Sequence, residues 1–231
     1  MTTWIDFWNT DHAIYVNERH KSLHAEAVAR DIARHTPGPS ATVLDYGCGE
    51  ALYAERIAPQ CGRLILCEAA PKICAELARR LAKIPNVDVV EPTGAAALPD
   101  RSVDLIVVNS VLQYLDGPTL EGLLDVWRSK LKDEGHLVIA DVIPPGVSPI
   151  TDASALLSFA ARGGFLVPAL AGLVKTALSD YGKLRKTLGF SMHEEHALVD
   201  LMGTHGLAAE RVHPNFGHNQ ARMTFKAHRT R

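Results

Sequence analysis

No two cysteines in this sequence are spaced C-x-x-C, which removes a zinc ribbon from consideration. The four cysteines, Cys48, Cys61, Cys67 and Cys74, all fall in one α/β stretch, as small buried thiols of a reducing cytoplasm would. A basic excess is also missing. Lys and Arg total 24 against 26 Asp and Glu, a formal charge of -2, so no nucleic-acid partner is expected. The stretch "MTTWIDFWNTDHAIYV" carries acids and no basic region ahead of an apolar run, so it is not read as a secretory signal. The apolar segment "GGFLVPALAGLV" is interrupted by Pro168 and falls short of the about 20 residues that a bilayer span needs. Repeats and low-complexity tracts are absent. What is present is a chain of 231 residues, 47% hydrophobic, enough for one α/β domain with an insertion or for two small domains.

Apolar runs alternate with helical patterns. Residues 18–35 form a helical stripe with apolar positions at Leu23, Ala27, Val28 and Ile32. Strands are expected from Val43, over Arg63–Cys67, Val87–Val90 and Val103–Asn109, and over His136–Ile143. Helices are expected over Tyr53–Ala58, Pro71–Ile84 and Thr119–Leu131, the last capped by "DEG". This alternation predicts βαβ units and a parallel sheet covered on both faces, with ligands at the carboxyl ends of the strands. Residues 150–188 break the alternation and read as helical throughout. One more helix in "MHEEHALVDLMGTHG" and two strands, Leu207–Val212 and Arg222–His228, close the chain.

"VLDYGCGEAL" carries the chemistry. Gly47 and Gly49 follow a strand and precede a helix, where a backbone that approaches a ligand has no room for a Cβ. Leu52 stands where a dinucleotide fingerprint would place its third glycine, and a plain tight turn is the competing reading. Glu68 ends the next strand about 20 positions on, where a carboxylate accepts from ribose hydroxyls. Asp45 decides between cofactors. A carboxylate there repels a pyrophosphate and attracts a cation, which favours S-adenosylmethionine, with its sulfonium and ammonium, over NAD.

"VLDYGCGEAL", "LILCEAA", "GAAALPDRSVDLIVVNSVLQYL" and "HLVIADVIPPG" together resemble the successive motifs of class I S-adenosylmethionine-dependent methyltransferases over roughly residues 40–145. The resemblance implies a Rossmann-like, doubly wound sheet of seven mostly parallel strands with the last antiparallel. It implies that Asp45, Gly47 and Gly49 cradle the methionine moiety with Tyr46 beside them. Glu68 would hold the ribose, and Ala69 would flank the adenine. Asn109 would line the methionine side, and Gln113 and Tyr114 the substrate side. Gly94 stands where the family often has an acid, so adenine recognition at Gly94 and Ala95 would fall to backbone or another group.

Four segments are expected: an aromatic N-terminal flap (1–36), a cofactor-binding core (37–149), a helical lid (150–190), and a last helix with a strand hairpin (191–231). In the flap, Tyr15, Asn17 and Arg19 are the residues to follow, with His12 or His20 reaching toward the site. The lid implies a small lipophilic or aromatic acceptor, and a homodimer or peripheral membrane contact through residues 153–178 is the competing use of its apolar surface. In "HPNFGHNQARMTF", Asn219 and Gln220 are candidates for orienting an acceptor and His218 for taking its proton, with Tyr15 as a second catalytic candidate. An ordinary polar hairpin is the alternative. "HEEH" at 193–196 has its histidines three apart rather than four, so a helix start is expected and no metal. A non-catalytic cofactor-binding module and an NAD-linked oxidoreductase remain the competing functions.

Overall fold

The structure is a computed structural model and describes residues 4–9, 15–177 and 189–230. Its centre is a seven-stranded sheet built from β1 (Thr42–Tyr46), β2 (Arg63–Cys67), β3 (Val87–Val90), β4 (Val103–Asn109), β5 (Leu131–Val142), β6 (Leu207–Val212) and β7 (Met223–Arg229). The spatial order is β3-β2-β1-β4-β5-β7-β6. β7 runs antiparallel to both its neighbours and the other pairings are parallel, as expected. The chain reverses direction in strand order between β1 and β4, so the carboxyl ends of these two strands form the switch-point crevice.

The helices in chain order are α1 (Trp4–Trp8), α2 (Glu18–His35), α3 (Ala54–Ile57), α4 (Pro71–Leu81), α5 (Pro92–Ala96), α6 (Gly117–Lys130), α7 (Pro149–Gly163), α8 (Leu166–Ala177) and α9 (Glu195–Thr204). Both sheet faces are covered. On one, Leu44, Ile65, Ile106, Leu137 and Phe225 pack with Leu124 and Trp127 of α6 and Leu198 and Met202 of α9. On the other, Val43, Leu64, Leu66, Leu105 and Val107 pack with Val28 and Ile32 of α2, Ile57 of α3 and Leu77 of α4. Central strands that alternate their apolar side chains between two such layers have no solvent face, and this is why they read as continuous hydrophobic runs.

Two expectations need correction. "DEG" does not cap α6. The helix ends at Lys130, and Leu131 turns extended and opens β5. Gly135 is required by the bulge between β4 and β5, because a Cβ there would lie 2.9 Å from the Val103 carbonyl oxygen. The residues from 150 are also not one continuous helix. Gly164, left-handed at φ 74, ends α7, and Phe165 drops into a separate small core with Ala160 and Ala169 against Val16 and Leu23. Residues 178–188 lie outside the described part, as does His12. Other apolar side chains of this insertion, Ile150, Val167, Leu170 and Val174, point outward. No described helix is long and apolar enough to cross a membrane.

Candidate active site

Asp45, Glu68 and Asn109 lie together along the carboxyl edge of the sheet, at the ends of β1, β2 and β4. Asp45, the penultimate residue of β1, is buried, and the hydroxyl of Tyr53 donates to its Oδ2. Burial raises the Asp45 carboxyl from 3.8 to about 7; the Tyr53 hydrogen bond works against that rise and the neighbouring Glu68 charge adds to it. Tyr15 lies close enough to add to the rise in the ionisation of buried Tyr53, and its own is pushed up to about 12 by burial and by Glu50. The two glycines divide the labour of the turn. Gly47, at φ 77, packs so closely that a Cβ would sit 2.4 Å from Val111 Cγ2. Gly49, at φ 55, faces open space where its Cβ would be. The left-handed turn thus requires both glycines, packing requires Gly47 a second time, and Gly49 stands at the rim of the cradle.

Glu68 is buried just beyond β2 and braces this turn. Its Oε2 accepts from the Gly49 N–H at 2.9 Å and its Oε1 from the Ala70 N–H at 2.8 Å. A carboxylate offers about four lone-pair sites, so these two bonds orient it and leave capacity for ribose hydroxyls. Ala69 lies half-buried beside it. Gly94 and Ala95 belong to α5, where Ala95 is buried in the core and a Cβ on Gly94 would press on Val90 at 3.1 Å. Tyr46 turns into the core, edge-on to Trp127 at 5.3 Å.

On the far side of the crevice, Gln113 is buried with its side-chain oxygen accepting no hydrogen bond, an orphan that a ligand can satisfy. Tyr114 packs against Trp4 at 4.7 Å and Phe190 at 5.7 Å, and Asn9 accepts from the Lys72 N–H at 2.8 Å. The aromatic N-terminal segment therefore touches both the residues after β4 and the start of α4. Asn17 caps α2 by accepting from the His20 N–H, and Arg19 donates to the Gly163 carbonyl of α7. Both are structural ties.

Beside the crevice is a small chamber of about 50 Å3 lined by His24, Val28, Asn109, Ser110, Asp141, Phe216, Gly217, His218 and Asn219. It adjoins an open groove of about 550 Å3 between α7 and the β6–β7 loop, and His218 and Asn219 border both. The His218 ring stacks on Phe159 at 4.6 Å. Burial, with His20, Arg162 and Arg222 nearby, pushes its ionisation down to about 4, so the ring is neutral at pH 7. Asn219 donates to Asp152 of α7, and Arg222 grips the same carboxylate through both oxygens at 2.9 and 3.0 Å. Gln220 borders the groove, but its amide is engaged with Asn215 and Gly217 inside the loop. The loop is thus an organised structure latched to the insertion.

Strand-end logic points to one residue that the reading passed over. "HLVIAD" places Asp141 next to last in β5 as "VLD" places Asp45 next to last in β1. Tyr53, Asp152 and Arg222 carried no local signal, because their partners lie on other elements. His193 precedes α9 and His196 lies in its first turn, and no group of described side chains is arranged to hold a metal.

These features fit S-adenosylmethionine: a turn open at Gly49, a braced carboxylate at Glu68 and a buried acid at Asp45 that a cation would relieve. Residues 44–137 match the family described as methyltransferase domain. Over that stretch the chain is similar to a methyltransferase domain. Among curated proteins it is similar to nodulation protein S of Sinorhizobium fredii, 26% identical over 60% of this chain and 61% of that protein. A second similar protein is nodulation protein S of Rhizobium tropici, 30% identical over 58% of this chain and 53% of that protein. The matched part thus spans under two thirds of these relatives. Among solved structures, the N-methyltransferase NodS of Bradyrhizobium japonicum, in complex with S-adenosylhomocysteine, shares the fold. Its TM-score is 0.58 at 18% identity, covering 98% of this chain and 96% of that one.

Proposed function

We propose that this chain transfers a methyl group to a small, lipophilic or aromatic acceptor by direct in-line displacement. One observation carries the reading: the braced glycine turn and the chamber share one sheet edge, with Asn109 at the end of β4 between them. Bound S-adenosylmethionine supplies an activated methyl on a sulfonium. The protein supplies alignment and exclusion of water, which can contribute about 7–11 kcal/mol. Asp45 and the turn around Gly49 bind the amino-acid end, Glu68 the ribose, and Gln113 and Tyr114 bound the acceptor side. Val28, Phe216 and the ring of His218, itself stacked on Phe159, give the acceptor apolar and aromatic walls. Neutral His218 and Asn219 offer it hydrogen bonds as it passes from groove to chamber.

The test has two stages. Calorimetry should show binding of S-adenosylmethionine and S-adenosylhomocysteine and none of NAD. Radiolabelled methyl transfer into a cell extract, followed by fractionation, should place label in small organic-extractable products. Binding of NAD alone would return the reading to an oxidoreductase. Cofactor binding without any labelled product would support a non-catalytic module. Label in highly polar molecules only would refute the lipophilic acceptor.

A further inference from the structure

Ser110 and Asp141 occupy an unusual backbone region together. Ser110 directly follows β4 and Asp141 is next to last in β5, each is a non-glycine residue at φ 59, and the Ser110 hydroxyl donates to Asp141 Oδ2 at 2.7 Å. Asn and Asp tolerate the left-handed region better than most side chains, but it still costs of order 1 kcal/mol and persists only where surroundings over-determine it. Here they do. The Asp141 N–H donates to Asn215 Oδ1 at 3.2 Å, and the same oxygen accepts from the Thr224 hydroxyl at 2.7 Å. The Asn215 amide nitrogen holds the carbonyls of Phe216 and Asn219. One buried asparagine thus fixes both Asp141 and the loop that faces it.

The charge of the resulting chamber has one sign. Asp141 is the only acid or permanent cation among the lining residues. His24 and His218 are kept neutral by burial, each pushed down to about 4. Arg222, which lowers the carboxyl's proton affinity from outside the lining, is committed to Asp152. Burial outweighs these aids and holds the Asp141 carboxyl above its ordinary value. A carboxylate so placed is relieved by a cation that enters the chamber and carries its own hydrogen-bond donors.

We propose that Asp141 is the acceptor-anchoring residue and that the acceptor is an amine, its ammonium seated in the chamber on the Asp141 carboxylate and the rest of its body in the adjoining groove, whose walls mix Ile150, Ala155 and Ala221 with Thr151, Ser154 and Arg162. This rests on the methyltransferase reading above and names the acceptor class for the same site. An ammonium nitrogen has no free lone pair, so one N–H proton passes to the Asp141 carboxylate, breaking the N–H bond and forming an O–H bond, and the neutral amine is left facing the cofactor side. The walls contribute aromatic faces from His24, His218 and Phe216, which favour a cation over an anion.

The experiment uses the whole chain loaded with S-adenosylhomocysteine, titrated by calorimetry with benzylamine, benzyl alcohol and benzoate. Benzylamine is expected to bind, benzyl alcohol at least tenfold more weakly, and benzoate not at all. Asp141→Asn, near-isosteric and tolerant of the same backbone, is expected to bind S-adenosylhomocysteine unchanged and benzylamine at least tenfold more weakly. Equal benzylamine affinity in variant and wild type overturns the proposal, as does a wild type that binds benzoate as well as benzylamine or binds none of the three. The wild-type selectivity stands even if the variant fails to fold. Failure of S-adenosylhomocysteine itself to bind the wild type would instead refute the methyltransferase reading.

Discussion

Replacing Asp45 with Asn tests the central charge of the site. A carboxyl of ordinary value 3.8 that is raised to about 7 by burial gains protons in the folded state that the unfolded chain releases. Between those values stability therefore falls as pH rises, and above about 7 the full penalty of about 4 kcal/mol is present. Asparagine cannot ionise, and its side-chain oxygen still accepts from Tyr53. Its amide hydrogens carry an unsatisfied cost of about 1–3 kcal/mol that does not vary with pH. The stability of Asp45→Asn minus that of wild type should thus swing by about 4 kcal/mol in favour of the variant between pH 4 and pH 8. The difference is the diagnostic quantity. His24, His136 and His218, each lowered to about 4, are protonated in the unfolded chain first and lower the stability of both proteins as pH falls below 6.5. Urea unfolding of the ligand-free proteins at several pH values measures the difference directly. The variant should also bind S-adenosylmethionine at least tenfold more weakly, since the cation loses its counter-charge. A difference that stays constant within about 1 kcal/mol across that range would show that no proton is held at Asp45, and the argument from its charge would fall.

Gly47→Ala should destabilise the fold by about 1–3 kcal/mol, since its Cβ meets Val111 at 2.4 Å, as read by thermal unfolding. Gly49→Ala should cost only the backbone strain of about 1 kcal/mol and instead weaken S-adenosylhomocysteine in calorimetry, because its Cβ enters open space. Glu68→Gln should reduce the same affinity by roughly 10-fold or more, through loss of charge-assisted bonds worth about 1.5–3 kcal/mol. Asp152→Ala strands buried Arg222 and should lower stability by about 3–5 kcal/mol, with partial recovery on adding Arg222→Met, measured by urea unfolding.

The strand-end carboxylates show how much of the site was legible. Asp45 and Glu68 are readable because a parallel sheet buried on both faces makes each strand a hydrophobic run, and an acid where the run stops has few structural reasons to be there. Asp141 obeyed the same rule and went unread, because the resemblance supplied a role for the first two and none for the third. The insertion was legible only in part. Its composition marked it as apolar, but periodicity does not say which side of a helix faces inward: Ala160, Phe165 and Ala169 are buried, and Val167, Leu170 and Val174 face out.

By itself the sequence determined the order of strands and helices, the glycine turn and the sign of charge beside it. These depend on contacts between near neighbours, on backbone conformations open to glycine, and on period. Tertiary structure alone decided that Gly47 serves packing while Gly49 borders the cradle. It decided that Tyr53 meets Asp45, and that Arg222 on the closing hairpin latches onto Asp152 of the insertion across 70 residues. It also set Asp141 against two histidines that burial keeps neutral. Burial and long-range pairing fix the protonation of these groups, and neither is a property of residues adjacent in the chain.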